Sequence, residues 1–317
     1  MSVMSFVVSN LIRVLFLAAT IYFATVDYKT IQGFLSSSSP AEENNQLHET
    51  GIPPSSKPNF SGDNYWRAED QEMCDDPEKD KTWMKKGALC FLVNQTDVLS
   101  KVEVISWSPI ILVYKEMFSG DQVANWIHVF NKQQLEPQET VNSDGNIEQS
   151  KFRVADGVMT AEEDFPEARS LAETAAKHLP YLNFGNSEPI VGVSYQPGGH
   201  YSRHYDFFDL DDGIEFESME KGNRMTTVIL MFQKAEVGGG TMFPLLKTTV
   251  RAEPGDAIVW FNMRKNGEME PLVEHAGCPV RSGRKIIATV WLRSKEQPLL
   301  KEGDNNPNSF DATDLLQ

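Results

Sequence analysis

The sequence predicts a mainly β protein, a sandwich or barrel with two helices packed outside it. Three observations carry this. From Ile190 to Leu292 short apolar stretches recur at near-regular spacing, separated by turns rich in Pro and Gly. These stretches are rich in β-branched and aromatic residues, which suit a pleated surface. Two segments ahead of them repeat their apolar residues at helical spacing.

Regular signals begin near Val102. Glu103 to Met117 reads as one or two strands, interrupted at Pro109. The first helix follows, with Ser119 as its cap and Val123, Trp126, Ile127 and Phe130 on one face. Phe165 to Leu179 is the second, with Pro166 in its first turn and Leu171, Ala175, His178 and Leu179 on one side. His128 and His178 lie within these helices and read as structural or surface residues. Val191, Val193 and Tyr195 then alternate, and a Pro-Gly-Gly turn leads into Tyr201 to Phe208. Asp209 to Asn223 is an acidic loop. Met225 to Phe232 is apolar enough to be buried on both faces. Gly238-Gly239-Gly240 is a tight turn before Thr241 to Phe243. These glycines lack the Gly-Lys-Ser/Thr ending of a phosphate loop. Pro254-Gly255-Asp256 turns into Ala257 to Phe261, and Ile286 to Leu292 closes the series.

The 317 residues are 40% hydrophobic and 23% charged, which suits a globular protein with a sizeable core. The net charge of −16 argues against nucleic acid as a partner, since that affinity comes largely from Lys and Arg on phosphates. The N-terminus differs in kind. Val14 to Val26 is an apolar to weakly polar run behind Arg13. A span needs about 20 residues, so this run is short unless Leu11, Ile12 and the preceding residues join it and Arg13 snorkels. No small-x-small cleavage site follows. Residues 1–31 are therefore read as a signal-anchor, with a cleaved signal peptide as the alternative. Residues 32–71, rich in Ser, Pro, Asn and Glu, cannot bury enough apolar surface to fold and read as a disordered stalk. The domain proper is set at 72–293, and residues 294–317 as a disordered acidic tail.

Either form of the N-terminus delivers the rest to the secretory lumen. Asn59 and Asn94 head glycosylation triplets. There, Cys74 and Cys90 could close a short loop, leaving Cys278 over.

The chemistry centres on Tyr195 to Phe208, and within it on His204-Tyr205-Asp206. Residues two apart in a strand point the same way, so an imidazole and a carboxylate project together. These are two of the three ligands of a two-histidine, one-carboxylate metal site. The third must come from a distant strand facing the same cavity. His48 falls in the stalk and His200 in a turn, which leaves His275, between the last two strong strands. The set suits iron(II) or zinc. Lys285, Ile287, Thr289 and Trp291 share one face of the last strand. If that face looks inward, a buried ammonium needs an anion, and an anionic co-substrate would fit.

Taken together, His204, Asp206, His275 and Lys285, with YQPGGHYSRHYDFF, GGGTMFP, PGDAIVWFN and EHAGCPVRSGRKIIATVWL, resemble the iron(II)- and 2-oxoglutarate-dependent prolyl 4-hydroxylases. The likeness is strongest to the catalytic domain of the collagen-type α subunits and covers about Val102 to Arg293. It implies a double-stranded β-helix, or jelly roll. It implies Fe(2+) on His204, Asp206 and His275, the distal carboxylate of 2-oxoglutarate on Lys285, and contacts to that co-substrate from Tyr195 and Tyr201. It further implies O2 as oxidant, L-ascorbate as rescuing reductant, a Pro-rich or collagen-like polypeptide as substrate, and the endoplasmic reticulum lumen as location. The sequence departs from the long subunits in lacking their dimerising and peptide-binding regions, which puts association with protein disulfide isomerase in doubt. It also lacks their C-terminal partner for the cysteine matching Cys278, so Cys278 is expected to stay reduced. Two alternatives share these residues: an oxygenase acting on another residue, and a jelly-roll module that binds without turnover.

Overall fold

A computed structural model of the chain describes residues 66–75, 90–95, 98–141, 147–148, 151–160, 165–208, 220–301 and 303–315. The hydrophobic N-terminal segment, His48, Asn59 and most of the acidic loop lie outside them. No helix among the described residues is long and apolar enough to cross a membrane.

The described chain starts with helix α1 (Ala68–Asp75), then strands β1 (Cys90–Gln95), β2 (Val98–Trp107) and β3 (Ile110–Lys115). The break expected at Pro109 is the β2–β3 turn, where the Ser108–Pro109 peptide is cis. Helix α2 (Gly120–Phe130) follows. Ser119 caps it as expected: its Oγ accepts from the Gln122 amide, and the Gln122 side chain accepts from the Ser119 amide. Short strands β4 (Glu136–Pro137), β5 (Thr140–Val141), β6 (Ile147–Glu148) and β7 (Arg153–Val154) lead to β8 (Asp156–Thr160) and helix α3 (Pro166–His178). His178 on that helix is bonded to Ser100 Oγ at 2.7 Å, a structural role. Then come β9 (Ile190–Tyr195), β10 (His200–His204), β11 (Arg224–Gln233), β12 (Val237–Gly238), β13 (Thr241–Phe243), β14 (Thr248–Val250), β15 (Ala257–Phe261), β16 (His275–Gly277), β17 (Val280–Ser282) and β18 (Lys285–Arg293), and a terminal turn of helix, α4 (Ala312–Leu315).

Every pairing in the two principal sheets is antiparallel. The large sheet has the order β1-β2-β3-β15-β11-β18-β9-β8-β4, the small one β14-β13-β16-β10-β7. Sequence neighbours are rarely sheet neighbours, as in a jelly roll. The large sheet is covered on both faces. Val228, Leu230 and Phe232 of β11 pack with Trp126, Phe130 and Leu171 of the helices. Ile229 and Met231 of the same strand pack with Phe243 and Val250 of the small sheet. That double burial is what the unbroken apolar run of β11 requires. Gly192 lets the helical layer approach closely. A Cβ there would come within 2.7 Å of the Phe130 ring.

Three expectations are corrected. Cys278 is not reduced and Cys74 does not pair with Cys90: the disulfide joins Cys74 to Cys278, and Cys90 is free and exposed. Loop length favoured the nearer pair, but α1 packs on the small sheet beside β16, and proximity in the fold decides. Order also begins before residue 72. Trp66 and Asp70 are buried, so the end of the presumed stalk belongs to the domain. The tail is likewise not loose. Phe310, Ala312 and Leu315 are buried in the main core, because this acidic stretch carries enough apolar residues to dock.

Candidate metal and co-substrate site

Strands β10 and β16 pair so that His204 and His275 are direct register partners. Side chains directly opposite in an antiparallel pair have Cβ atoms about 5 Å apart, and the two rings meet with centroids 4.2 Å apart. Asp206 lies two residues past His204, just beyond the end of β10 rather than within it. It still reaches the same space. Its Oδ1 is 3.8 Å from His204 Nε2 and its Oδ2 is 3.5 Å from His275 Nε2. Ligand atoms from the three lie within 4.8 Å of one another, an arrangement that could hold a metal ion.

Both imidazoles are oriented from behind. His204 Nδ1 is 2.8 Å from the Ser202 carbonyl, and His275 Nδ1 is 3.1 Å from the Val273 carbonyl. A carbonyl only accepts, so each Nδ1 carries the proton and each Nε2 turns a lone pair toward the common space. Tyr201 stacks on His204 with centroids 3.5 Å apart, and Trp260 meets His275 edge-on at 4.7 Å. Burial, with the facing His275, holds His204 neutral down to about 3. Burial alone would push Asp206 up, but His275, His204, Arg224 and the Thr227 hydroxyl together bring it down to about 2.

A buried relay that sequence reading missed stands behind the carboxylate. Trp260 Nε1 donates to Asn262 Oδ1 at 2.9 Å, Asn262 Nδ2 to Thr227 Oγ1 at 2.9 Å, and Thr227 Oγ1 to Asp206 Oδ2 at 2.7 Å. Thr227 faces Trp260 across the β11–β15 pair, so the relay follows from register. No spacing in the sequence could announce it.

The pocket beside the three ligands is lined by Tyr195, Tyr201, Lys285, Ile287, Thr289 and Trp291, with Arg153 and Thr241. The inward face expected of β18 is therefore the face observed. Lys285 is 2% exposed, and no carboxylate pairs with it among the described residues. Desolvation lowers it to about 8. Tyr195 is its register partner on β9, which puts the ammonium 5.5 Å from that ring centroid. Arg153 was not anticipated. Its guanidinium lies over the Tyr201 ring at 4.7 Å, and its Nε is buried without a hydrogen-bond partner. An arginine in a two-residue strand offers no signal in sequence. At the rim, Arg224 lies over the rings of Phe208 (4.4 Å) and Trp291 (3.7 Å) and is held by both Glu188 oxygens at 2.7 Å. His200, the rejected candidate, faces away, its nitrogens engaged by the Gly198 and Lys151 carbonyls.

Residues 191–293, which run from within β9 to the end of β18 and include the three candidate ligands, match the 2OG-Fe(II) oxygenase superfamily. Similar proteins include prolyl 4-hydroxylase subunit alpha-1 of Caenorhabditis elegans, 30% identical over 200 residues, or 62% of this chain and 35% of the relative. Prolyl 4-hydroxylase 5 of Arabidopsis thaliana is 27% identical over 214 residues, covering 62% of this chain and 72% of the relative. The chain thus spans little more than a third of the first relative's length. Among solved structures, a viral collagen prolyl hydroxylase from Paramecium bursaria Chlorella virus-1, in complex with 2OG, is 24% identical with a TM-score of 0.47, covering 58% of this chain and 96% of that one.

The donor set fits the iron of this superfamily. Two imidazole nitrogens and one carboxylate, with no thiolate among them, suit Fe(II), and each already has an oriented outer partner. The buried ammonium, unpaired among the described residues, fits a dicarboxylate co-substrate.

Proposed function

We propose that the chain hydroxylates peptidyl proline at C4, using Fe(2+), 2-oxoglutarate and O2. The observation that carries this is a three-ligand site opening onto a pocket floored by a buried lysine that meets no carboxylate among the described residues. The prolyl 4-hydroxylase relatives supply the substrate class.

In this reading His204 Nε2, His275 Nε2 and Asp206 hold the iron. Iron held there would supply the chemistry that links decarboxylation of 2-oxoglutarate, with succinate and carbon dioxide as products, to insertion of the other oxygen atom of O2 into a C–H bond. The remaining work belongs to this chain's side chains. Lys285 pairs with the distal carboxylate of 2-oxoglutarate, and Tyr195 hydrogen-bonds the same group from the paired strand. Tyr201 keeps the His204 ring in plane by stacking and walls the pocket. Thr227 fixes the Asp206 carboxylate by donating to its Oδ2. The buried Arg153 Nε is a donor available to a bound acceptor. Trp291, braced by Arg224 and Glu188, walls the side away from Lys285, where a peptide would enter. Ascorbate serves as the reductant that restores over-oxidised iron.

The same reading puts the domain in the secretory pathway, in the endoplasmic reticulum lumen, behind a signal-anchor. The Cys74–Cys278 disulfide supports an oxidising compartment, and Asn94 is exposed on β1 as a glycan acceptor must be. Association with protein disulfide isomerase is not part of the proposal.

The test uses the purified chain with Fe(II), 2-oxoglutarate, ascorbate and a panel of collagen-like and other Pro-rich peptides. A mass gain of one oxygen, located on proline C4 by fragmentation, is expected. Absence of succinate with every peptide would overturn the enzyme reading. Oxygen on another residue would overturn the substrate class.

A further inference from the structure

Helix α1 lies outside the pocket, yet its fasteners lead to the two strands that carry the imidazoles. Arg203 and Glu274 each precede a site histidine by one residue. Because His204 and His275 are register partners, their neighbours project to the opposite side of the small sheet. There Arg203 Nη1 meets Glu274 Oε2 at 3.4 Å. Asp70 of α1 takes the same guanidinium in a two-pronged pair, through Nε at 2.9 Å and through Nη2. Asp70 is 1% exposed. Cys74, on the same helix, is bonded to Cys278, three residues past His275. The carbonyls of Met73 and Cys74 accept from Thr249 Oγ1 at 3.0 Å and Arg251 Nη2 at 3.2 Å, tying the helix to the β14 side of the sheet.

The strands so gripped are short, although each is paired on both edges, β16 with β13 and β10, and β10 with β16 and β7. β16 is three residues long, and the β10–β16 register is irregular between Tyr201 and His204. A buried carboxylate is a costly way to dock a helix that apolar contact could hold. Its position, directly behind the ligand pair, gives that cost a use.

We propose that α1 is an outer brace of the metal site, fastened at Asp70–Arg203 and at Cys74–Cys278, so that iron retention depends on both fasteners and weakens when the disulfide is reduced. This rests on His204, Asp206 and His275 being the iron ligands. Asp70, Arg203, Cys74 and Cys278 are positioning residues that act through β10 and β16.

The test is anaerobic calorimetric titration of the full chain with Fe(II), with no peptide substrate present. Oxidised wild type is compared with protein reduced by a water-soluble phosphine that is then exchanged out. In that step phosphorus takes an oxygen from water, the S–S bond breaks, and the two sulfurs take the two protons. Asp70→Asn and Asp70→Glu are titrated in both states, with near-UV circular dichroism reporting the fold. Reduction and Asp70→Asn are each expected to raise the iron Kd by roughly tenfold, the scale of losing an outer-shell partner. Combined, they should be no worse than the stronger alone, since both act through one helix, and Asp70→Glu should recover part of the loss. A folded, reduced protein within about twofold of the oxidised Kd overturns the brace, as do losses that multiply. If Asp70→Asn does not fold, reduced wild type decides. No iron binding by oxidised wild type overturns the ligand assignment and the brace with it, whereas binding indifferent to reduction overturns the brace alone.

Discussion

Lys285 joins stability and chemistry in one side chain. Burial brings its folded-state pKa to about 8 from 10.5. A depressed lysine costs stability at all pH values below about 8, where the amine must be charged in place, and the cost fades as pH rises toward 10.5. Lys285→Met is therefore expected to raise the melting temperature of the ligand-free protein at pH 7 while abolishing 2-oxoglutarate binding. Calorimetry and equilibrium binding read the two effects separately. In wild type the ammonium is ready for an anion below about pH 8. Above it, binding must take up a proton, so the 2-oxoglutarate Kd is expected to rise by up to about tenfold per pH unit, while Lys285→Arg stays flat. Thr227 makes a second case. Replacing it with Val leaves Asn262 and Asp206 each short of a partner in a buried relay. Thr227→Val should cost about 1–3 kcal/mol in urea denaturation and weaken iron binding about 10- to 100-fold. Of these residues Lys285 was legible, because a lysine on the inward face of an apolar strand is conspicuous. Thr227 was not, because a threonine in a strand needs no explanation until its register partner is known.

At the scale of elements, what could be read was what local chemistry dictates. The capping box at Ser119, the proline opening α3, the run of β11 and the β18 face all follow from nearest neighbours in sequence. Ser119→Ala is expected to lose about 1 kcal/mol, with the denaturant midpoint shifting and its slope unchanged. The brace α1 was missed for the converse reason. Its first four residues fall in the stretch read as a polar stalk, and only tertiary partners, Arg203 for Asp70 and Cys278 for Cys74, make it an element. The site divides the same way. His204 and Asp206 announce themselves through a spacing of two, while His275 emerged by elimination and its pairing with His204 was visible only in the sheet register. The strand argument brings His204 and Asp206 to one space, and the structure does so too, although Asp206 sits past the strand end.

Across the whole molecule, the large sheet lies between a helical layer and the small sheet, and the C-terminal tail seals one edge of the core. Phe310 is 2% exposed, stacks within 4.7 Å of Phe261, and its carbonyl accepts from the Ile110 amide. Phe310→Ala is expected to destabilise the domain by about 3–5 kcal/mol, measured by urea denaturation. Composition misread this stretch because acidic residues outnumber its few anchors, and average polarity cannot tell where those anchors land. The register of β10 against β16 has one more consequence. The His-x-Asp pair offers a cation only two donors, and the third is 71 residues past His204, on a strand that must travel back to meet the first. A nascent polypeptide emerging with only its first two donors therefore has no competent seat for the metal. Loading must wait for β10 and β16 to pair.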